Sequence, residues 1–312
     1  MKFEIRARSL EKLDEILDIN PDVIGVGDEG CYLKLPSVMD ALKIREKTEK
    51  AGRRFRLITP QVTVGAVDKT INIIQALSKE GKGYCLTIND IGLLYGCCQK
   101  DVLPEEVAIG RTLSKSLADC KWNDHLLQHE DEHMKRTLYQ NWMCQEVKIS
   151  HLKNYGINAI ESNMTEKQDD SFINFARSKC KIHVHYGLSA VAFSRICQTA
   201  KYYDTPVRNC VDICNGSLKI EMSQIWNEAV YYEMDDRLKE IKPTFILIGN
   251  VLYQENDLKL SDFNIFNVDS FILTFAHYRG QPSTKETYRM LDNFCNRRFV
   301  NSEKNEIESS SK

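Results

Sequence analysis

Short runs of hydrophobic residues alternate with amphipathic stretches along most of the chain. FEIRA (3–7), DVIGVG (22–27), RFRLITP (54–60), YCLTI (84–88), EVAIG (106–110), INAIES (157–162), KIHVHYG (181–187) and TFILIGN (244–250) each read as a strand. Between them lie helical patterns. Ser9 is placed to cap a helix reaching Leu17, with Leu10, Leu13, Ile16 and Leu17 on one face, and Ser37 to cap one reaching about Ala51. Further helices are expected over 67–79 and from Asp90 to about Gly96. Strands separated by helices of this length predict βα units on a parallel sheet. Seven or eight such units fit an α/β (β/α)8 TIM-barrel-like fold better than the doubly wound alternative. Two regions break the rhythm: 120–146, polar and His-rich, and 200–235, where LKIEM and AVYYEM suggest an irregular or β-rich excursion after a group of cysteines. The expected organisation is a single barrel-like domain over 1–300, followed by a polar tail, 301–312, expected to be disordered.

Composition changes little in this picture. Of 312 residues, 42% are hydrophobic and 28% charged, with a formal net charge of −2. Such a chain can bury a core but carries no overall basic field, which disfavours nucleic acid as a partner. No apolar run is long enough to span a bilayer, and the first residues lack a signal-peptide core. A cytoplasmic protein is therefore expected, and in a reducing compartment its eleven cysteines are not read as disulfides.

The cysteines carry the most chemistry. Cys197, Cys210 and Cys214 are spaced C-x12-C-x3-C in a loop-like segment, and Cys31 follows the strand DVIGVG. Loops that follow barrel strands gather on one face, so Cys31 can meet the other three. Four thiolates in a dry pocket suit a 4Fe-4S cluster or a structural zinc. The opposing reading is that they are buried cysteines packing as small hydrophobes. HEDEH (129–133) matches the two-histidine zinc helix, with His125 one turn earlier, but polar flanks point to a solvated face. His183 and His185 share one face of a strand, where a core role competes with a functional one. Asn89 and Asp90 sit between a strand and a helix, Asp90 as a helix cap or a pocket residue. Cys180, three residues before His183, is a rival ligand. Cys97 and Cys98, adjacent on a helix, point in different directions.

The stretch HVHYGLSAVAFSRICQTAKYYDTPVRNCVDICNG (183–216) resembles the signature of the collagenase-like peptidase family of unassigned mechanism. The matching positions are His185, Gly187, Ser194, Cys197, Arg208 or Asn209, Cys210 and Cys214. CLTINDIGLLYG and AIGRTLSKS, together with the KFEIRARSLEKL opening, extend the resemblance. Ala190 stands where many members have a first cysteine, which leaves three ligands. The iron–sulfur branch that serves ubiquinone hydroxylation (UbiV-type) draws its fourth ligand from an N-terminal loop, and GDEGC, ending at Cys31, sits there. The resemblance implies a barrel and a 4Fe-4S cluster bound by Cys31, Cys197, Cys210 and Cys214. It also implies a part in oxygen-independent hydroxylation of a quinone precursor or an RNA base, beside a homologous partner as a heterodimer and an unidentified electron donor. His185 and Asp90 are the weak catalytic candidates, and Arg195, Arg208 and Asn209 neighbour the ligands. A peptidase is the alternative that the family name suggests, although no nucleophile presents itself. RNA base modification is the other alternative. The glycine that usually follows Ser194 and the one before Cys210 are both missing.

Overall fold

The computed structural model describes residues 1–7, 12–120, 123–124, 127–165, 169–207, 210, 213–215, 218–221, 244–256, 258–263, 267–275 and 283–295. Eight parallel strands close a barrel: β1 (Lys2–Ala7), β2 (Val23–Gly27), β3 (Arg54–Ile58), β4 (Cys85–Ile88), β5 (Glu106–Ile109), β6 (Ala159–Asn163), β7 (Lys181–His185) and, closing on β1, β12 (Ser270–Phe275). Between β7 and β12 the chain builds a separate antiparallel sheet in the order β8 (Leu188–Phe193), β11 (Val251–Glu255), β10 (Thr244–Ile248), β9 (Leu218–Glu221).

Helices wrap the barrel: α1 (Leu13–Ile19), α2 (Val38–Lys50), α3 (Val64–Lys79), α4 (Ile91–Gln99), α5 (Glu132–Tyr139), α6 (Glu146–Asn154), α7 (Asp169–Arg177) and α9 (284–295), with a short α8 (Gln198–Tyr202) in the small sheet's territory. Local chemistry sets their starts. Ser37 accepts a bond from the Asp40 N–H at 3.1 Å and caps α2. Ala41, Ile44, Arg45 and Thr48 then fall on one buried face, at the spacing of a helix that packs along one side.

The barrel α/β fold agrees with the strand–helix alternation, with one correction. TFILIGN (244–250) is not a barrel strand; it supplies β10 of the small sheet, and the eighth barrel strand is SFILTF (270–275). Both are short apolar runs, and nothing in such a run says which sheet it joins. The expected excursion exists, but it begins at β8, before Cys197. Ser9 as a cap, AVYYEM (229–234), His125 and the tail 301–312 lie outside the described residues.

Alternation along the strands sorts side chains between two layers. Phe3, Ile5 and Ala7 pack outward into the apolar layer with Ile16, Ile24 and Phe271. Glu4 and Arg6 point the other way. β1 is bonded only to β2 and β12, yet Arg6 reaches Glu161 on β6 and Glu4 reaches Arg56 on β3, so these side chains cross the interior. Gly25 on β2 follows from that filling: a Cβ there would lie 2.8 Å from Arg6 Cγ and 2.9 Å from Glu4 Oε1.

Candidate functional site

The interior of the barrel is charged. Arg6 donates to both carboxylate oxygens of Glu161 and, through Nε at 2.6 Å, to Glu4. Arg56 Nε donates to Glu4 at 2.8 Å, and its other end meets Glu106. Glu161 accepts from Thr87 Oγ1 and lies 3.0 Å from His185 Nε2; His183 sits between Ser270 Oγ at 2.7 Å and Glu106 at 3.4 Å. Among the described residues, none of these buried charged atoms lacks a partner. Burial by itself would raise the Glu4 carboxyl; Arg56 and Arg6 outweigh it and hold the group below its ordinary value. Glu161 is held lower still, burial being outweighed by Arg6 and the bond from His185. Burial, followed by the nearby Arg111 charge, pushes His185 down to about 4, so it is neutral at pH 7 with the proton on Nε2 facing Glu161.

Above this interior, at the end where barrel strands hand over to loops, the small sheet bonds to residues at the ends of β5 and β6 and to the loop after β2. The loop after β2 carries Cys31. Asp28 Oδ1 accepts from the N–H groups of Gly30 (2.8 Å) and Cys31 (3.0 Å), which turns the chain. Asn250, in the turn between β10 and β11, donates through Nδ2 to the carbonyls of Gly30 and Ser194. Gly30 is the residue that permits this contact, because a Cβ would stand 2.4 Å from both Asn250 Oδ1 and Val251 Cγ2. One amide thus ties the Cys31 loop to the segment entering Cys197.

Cys197 is the N-cap of α8, its Sγ accepting from the Ala200 N–H at 3.4 Å; the Thr199 N–H bonds Gly249 O at 2.9 Å. Cys214 lies in the 3-10 turn Ile213–Asn215, buried with Ile246 and Ile248, and α8 packs on this turn. Cys31 and Cys214 are near enough for one thiol to feel the other's charge. Burial, followed by the Asp28 carboxylate, pushes the Cys31 thiol up to about 11. Cys210 is half-buried, its N–H bonded to Val207 O at 3.1 Å. Arg195 is exposed, while Arg208 and Asn209 lie outside the described residues. Among the described residues, no group of three or more His, Cys, Asp or Glu side chains is arranged to hold a metal ion.

The other candidates have defined places. Asp90 caps α4, accepting from the Leu93 N–H at 3.0 Å. Asn89 bridges strand ends, donating to Thr59 O at 2.9 Å and accepting from the Thr112 N–H at 3.1 Å. α5 starts at Glu132, so His129 and His133 do not share a helix. Cys97, Cys144, Cys180 and Cys295 are packed in the apolar layer. A cavity of about 650 Å³ opens on the small sheet, floored by Leu218, Ile220, Leu247 and Leu252 and edged by Lys201 and Tyr202 of α8.

Sequence reading missed Glu4, Arg6, Arg56, Glu106 and Glu161, as well as Glu29, Arg111 and Asn250 at the mouth. A signal was present for the first group: charges at every second position of an apolar strand, as in KFEIRA, belong to a polar interior rather than to solvent when both faces of a parallel sheet are covered.

No family model and no curated protein sequence matches the chain. Among solved structures it is similar to a U32 peptidase at 10% identity, over 89% of this chain and 94% of that one, with a TM-score of 0.44. It is also similar to N-(5′-phosphoribosyl)anthranilate isomerase from Pyrococcus furiosus (14% identity, 59% and 76% covered, TM-score 0.33) and to a dihydropteroate synthase from Coxiella burnetii (12%, 66% and 77%, 0.33). No helix among the described residues is long and apolar enough to cross a membrane.

Proposed function

We propose that this chain is an iron–sulfur protein of the collagenase-like peptidase family, with a 4Fe-4S cluster held by Cys31, Cys197, Cys210 and Cys214 beside the barrel mouth. We further propose that it serves an oxygen-independent hydroxylation system together with a homologous partner and an electron donor. The observation that carries the reading is the amide of Asn250. It joins the loop of Cys31 to the segment leading into Cys197, two places more than 160 residues apart, directly beside the turn that carries Cys214.

The residue types suit the group in chemistry, although the described thiols are not gathered into a metal-holding group. The donor set is soft thiolate, and Cys214 lies in an apolar pocket with Ile246 and Ile248. Cys31 is a thiol whose burial opposes charge unless a cation compensates it. With four cysteine ligands a cluster offers no open iron and supplies electron transfer or structure. The chain's own part is to hold the loops together and to keep water from Cys214. A metalloprotease reading through HEDEH is weakened by the start of α5 at Glu132, which separates its two histidines.

The test is anaerobic purification with iron, sulfide and zinc counts on the wild type and on Cys31→Ser, Cys197→Ser and Cys214→Ser. A broad absorption band near ~400 nm with about four iron and four sulfide per chain, lost or weakened in each variant, is expected. Zinc, or no metal in an anaerobically reconstituted wild type, overturns the reading.

A further inference from the structure

The mouth of the barrel is crossed by one buried ion pair that the cluster reading does not use. Arg111 follows β5 and is 3% exposed; Glu29 follows β2, two residues before Cys31, and is 6% exposed. The pair is bidentate, with Arg111 Nε donating to Glu29 Oε2 at 3.0 Å and a second guanidinium nitrogen to Oε1. Arg111 is held in turn by Asn163 Oδ1 at the end of β6 (2.8 Å) and by Leu188 O at the start of β8 (2.9 Å). Asn163 exchanges bonds with the backbone of Ala190 in β8, at 3.0 and 3.2 Å. Tyr253 of β11 donates its hydroxyl to Glu29 at 3.0 Å, and its ring lies under the guanidinium at 5.7 Å. One cation, itself just after β5, therefore bonds the end of β6, the small sheet and the Cys31 loop at once.

We infer that Arg111 is a positioning residue for Cys31: by clamping Glu29 across the mouth, it holds the loop that presents the thiol toward Cys214. The inference rests on the proposed cluster for its purpose but not for its geometry. A bidentate guanidinium–carboxylate pair fixes direction as well as distance, which a lysine cannot reproduce. Once the guanidinium is gone, Glu29 is a buried carboxylate that, among the described residues, accepts a hydrogen bond from the Tyr253 hydroxyl alone. Its escape to water draws the loop outward, and Cys31 with it. Asp28 sets the local turn at Cys31 by accepting from the Gly30 and Cys31 N–H groups, and the Arg111–Glu29 pair spans from that loop to the end of β5.

The experiment is Arg111→Met in the full chain, metal-free and reduced, followed by alkylation with iodoacetamide and site-resolved mass spectrometry. Cys97, buried in the apolar layer, serves as the internal control. Alkylation of Cys31 is expected to rise about tenfold or more while Cys97 stays within about twofold, because loop opening is local and core opening global. Anaerobic reconstitution of the same variant should fall from about four iron per chain toward about three. Wild-type alkylation of Cys31, or equal acceleration of Cys97, overturns the inference, since the pair would then serve only general stability. If Arg111→Met does not fold, Glu29→Gln and Tyr253→Phe decide by the same two thiols. A wild type that binds no iron removes the proposed function, while the alkylation pattern still decides whether the clamp exists.

Discussion

The barrel interior and the cysteine-bearing mouth are built on opposite plans. In the interior, charged side chains stand on strands, and each is met by another strand's side chain: Glu106, Arg56, Glu4, Arg6, Glu161 and His185 form one continuous chain of contacts across β5, β3, β1, β6 and β7. At the mouth, the thiols stand on loops and turns whose backbones are pinned by Asn250, Asp28 and Gly249. The interior is a closed network that holds the fold. The mouth combines backbones pinned by single side chains with one buried ion pair, Arg111–Glu29.

The comparison breaks most visibly at Arg56. Arg56→Met leaves Glu4 and Glu106 facing a methionine inside the barrel, and removal of one partner from a buried pair costs about 3–5 kcal/mol. The metal-free Cys197→Ser protein should lose about 1 kcal/mol or less, because its thiol makes one weak bond at a half-buried site. Urea unfolding of the two metal-free variants measures the contrast. Equal losses would mean that the interior network and the mouth are not energetically distinct.

A smaller effect uses pH. His185 is depressed to about 4 from an ordinary 6.5, so the unfolded chain takes a proton first, and stability falls as pH drops below 6.5. Asp119, in the turn Leu117–Asp119, is raised by burial to about 6 from 3.8, despite its bonds to Asn163 and Ser116. Here the folded chain takes the proton first, and stability rises as pH drops through 6. The two contributions oppose each other, each about 1–1.5 kcal/mol between pH 6.5 and 5. The wild type should therefore show a nearly flat Tm across that window. His185→Gln, which keeps an N–H for Glu161, should gain stability on acidification; Asp119→Asn should lose it. Parallel curves for the two variants would show that neither group titrates as its surroundings require.

Much of this was legible in the sequence, and the failures have physical causes. The barrel follows from strand–helix alternation because a parallel sheet needs helical crossovers. The Asn250 tie between Gly30 and Ser194 lies at the end where loops after barrel strands meet. Assignment of TFILIGN to the barrel failed because an apolar run does not encode its neighbour: β10 pairs antiparallel in the small sheet, and β12 parallel in the barrel. The interior charges were passed over: alternate charges on a strand mark a polar interior only when both faces of its sheet are covered, and the partners of Arg6 lie up to 155 residues away. Asn250 gave no signal, since a turn asparagine after Gly249 is ordinary in sequence and becomes a tie only through two distant carbonyls.

Asp90 tests the boundary between scaffold and chemistry most finely. It lies where a barrel strand meets a helix, a place that suits a catalytic carboxylate equally well. In the structure its oxygen accepts from the Leu93 N–H, one of the donors that a helix start leaves without an internal partner. Asp90→Ala should lower stability by about 1 kcal/mol, and Asp90→Ser should recover most of it, because serine caps as well as aspartate does. Neither change should alter iron content or the alkylation of Cys31, since α4 is anchored through Leu93, Leu94 and Cys97 in the apolar layer rather than at the mouth. A serine variant that regains Tm but loses iron or hydroxylation would mean that the carboxylate itself is used. The line between the strand-borne frame and the loop-borne site would then have to be moved to include α4's first turn.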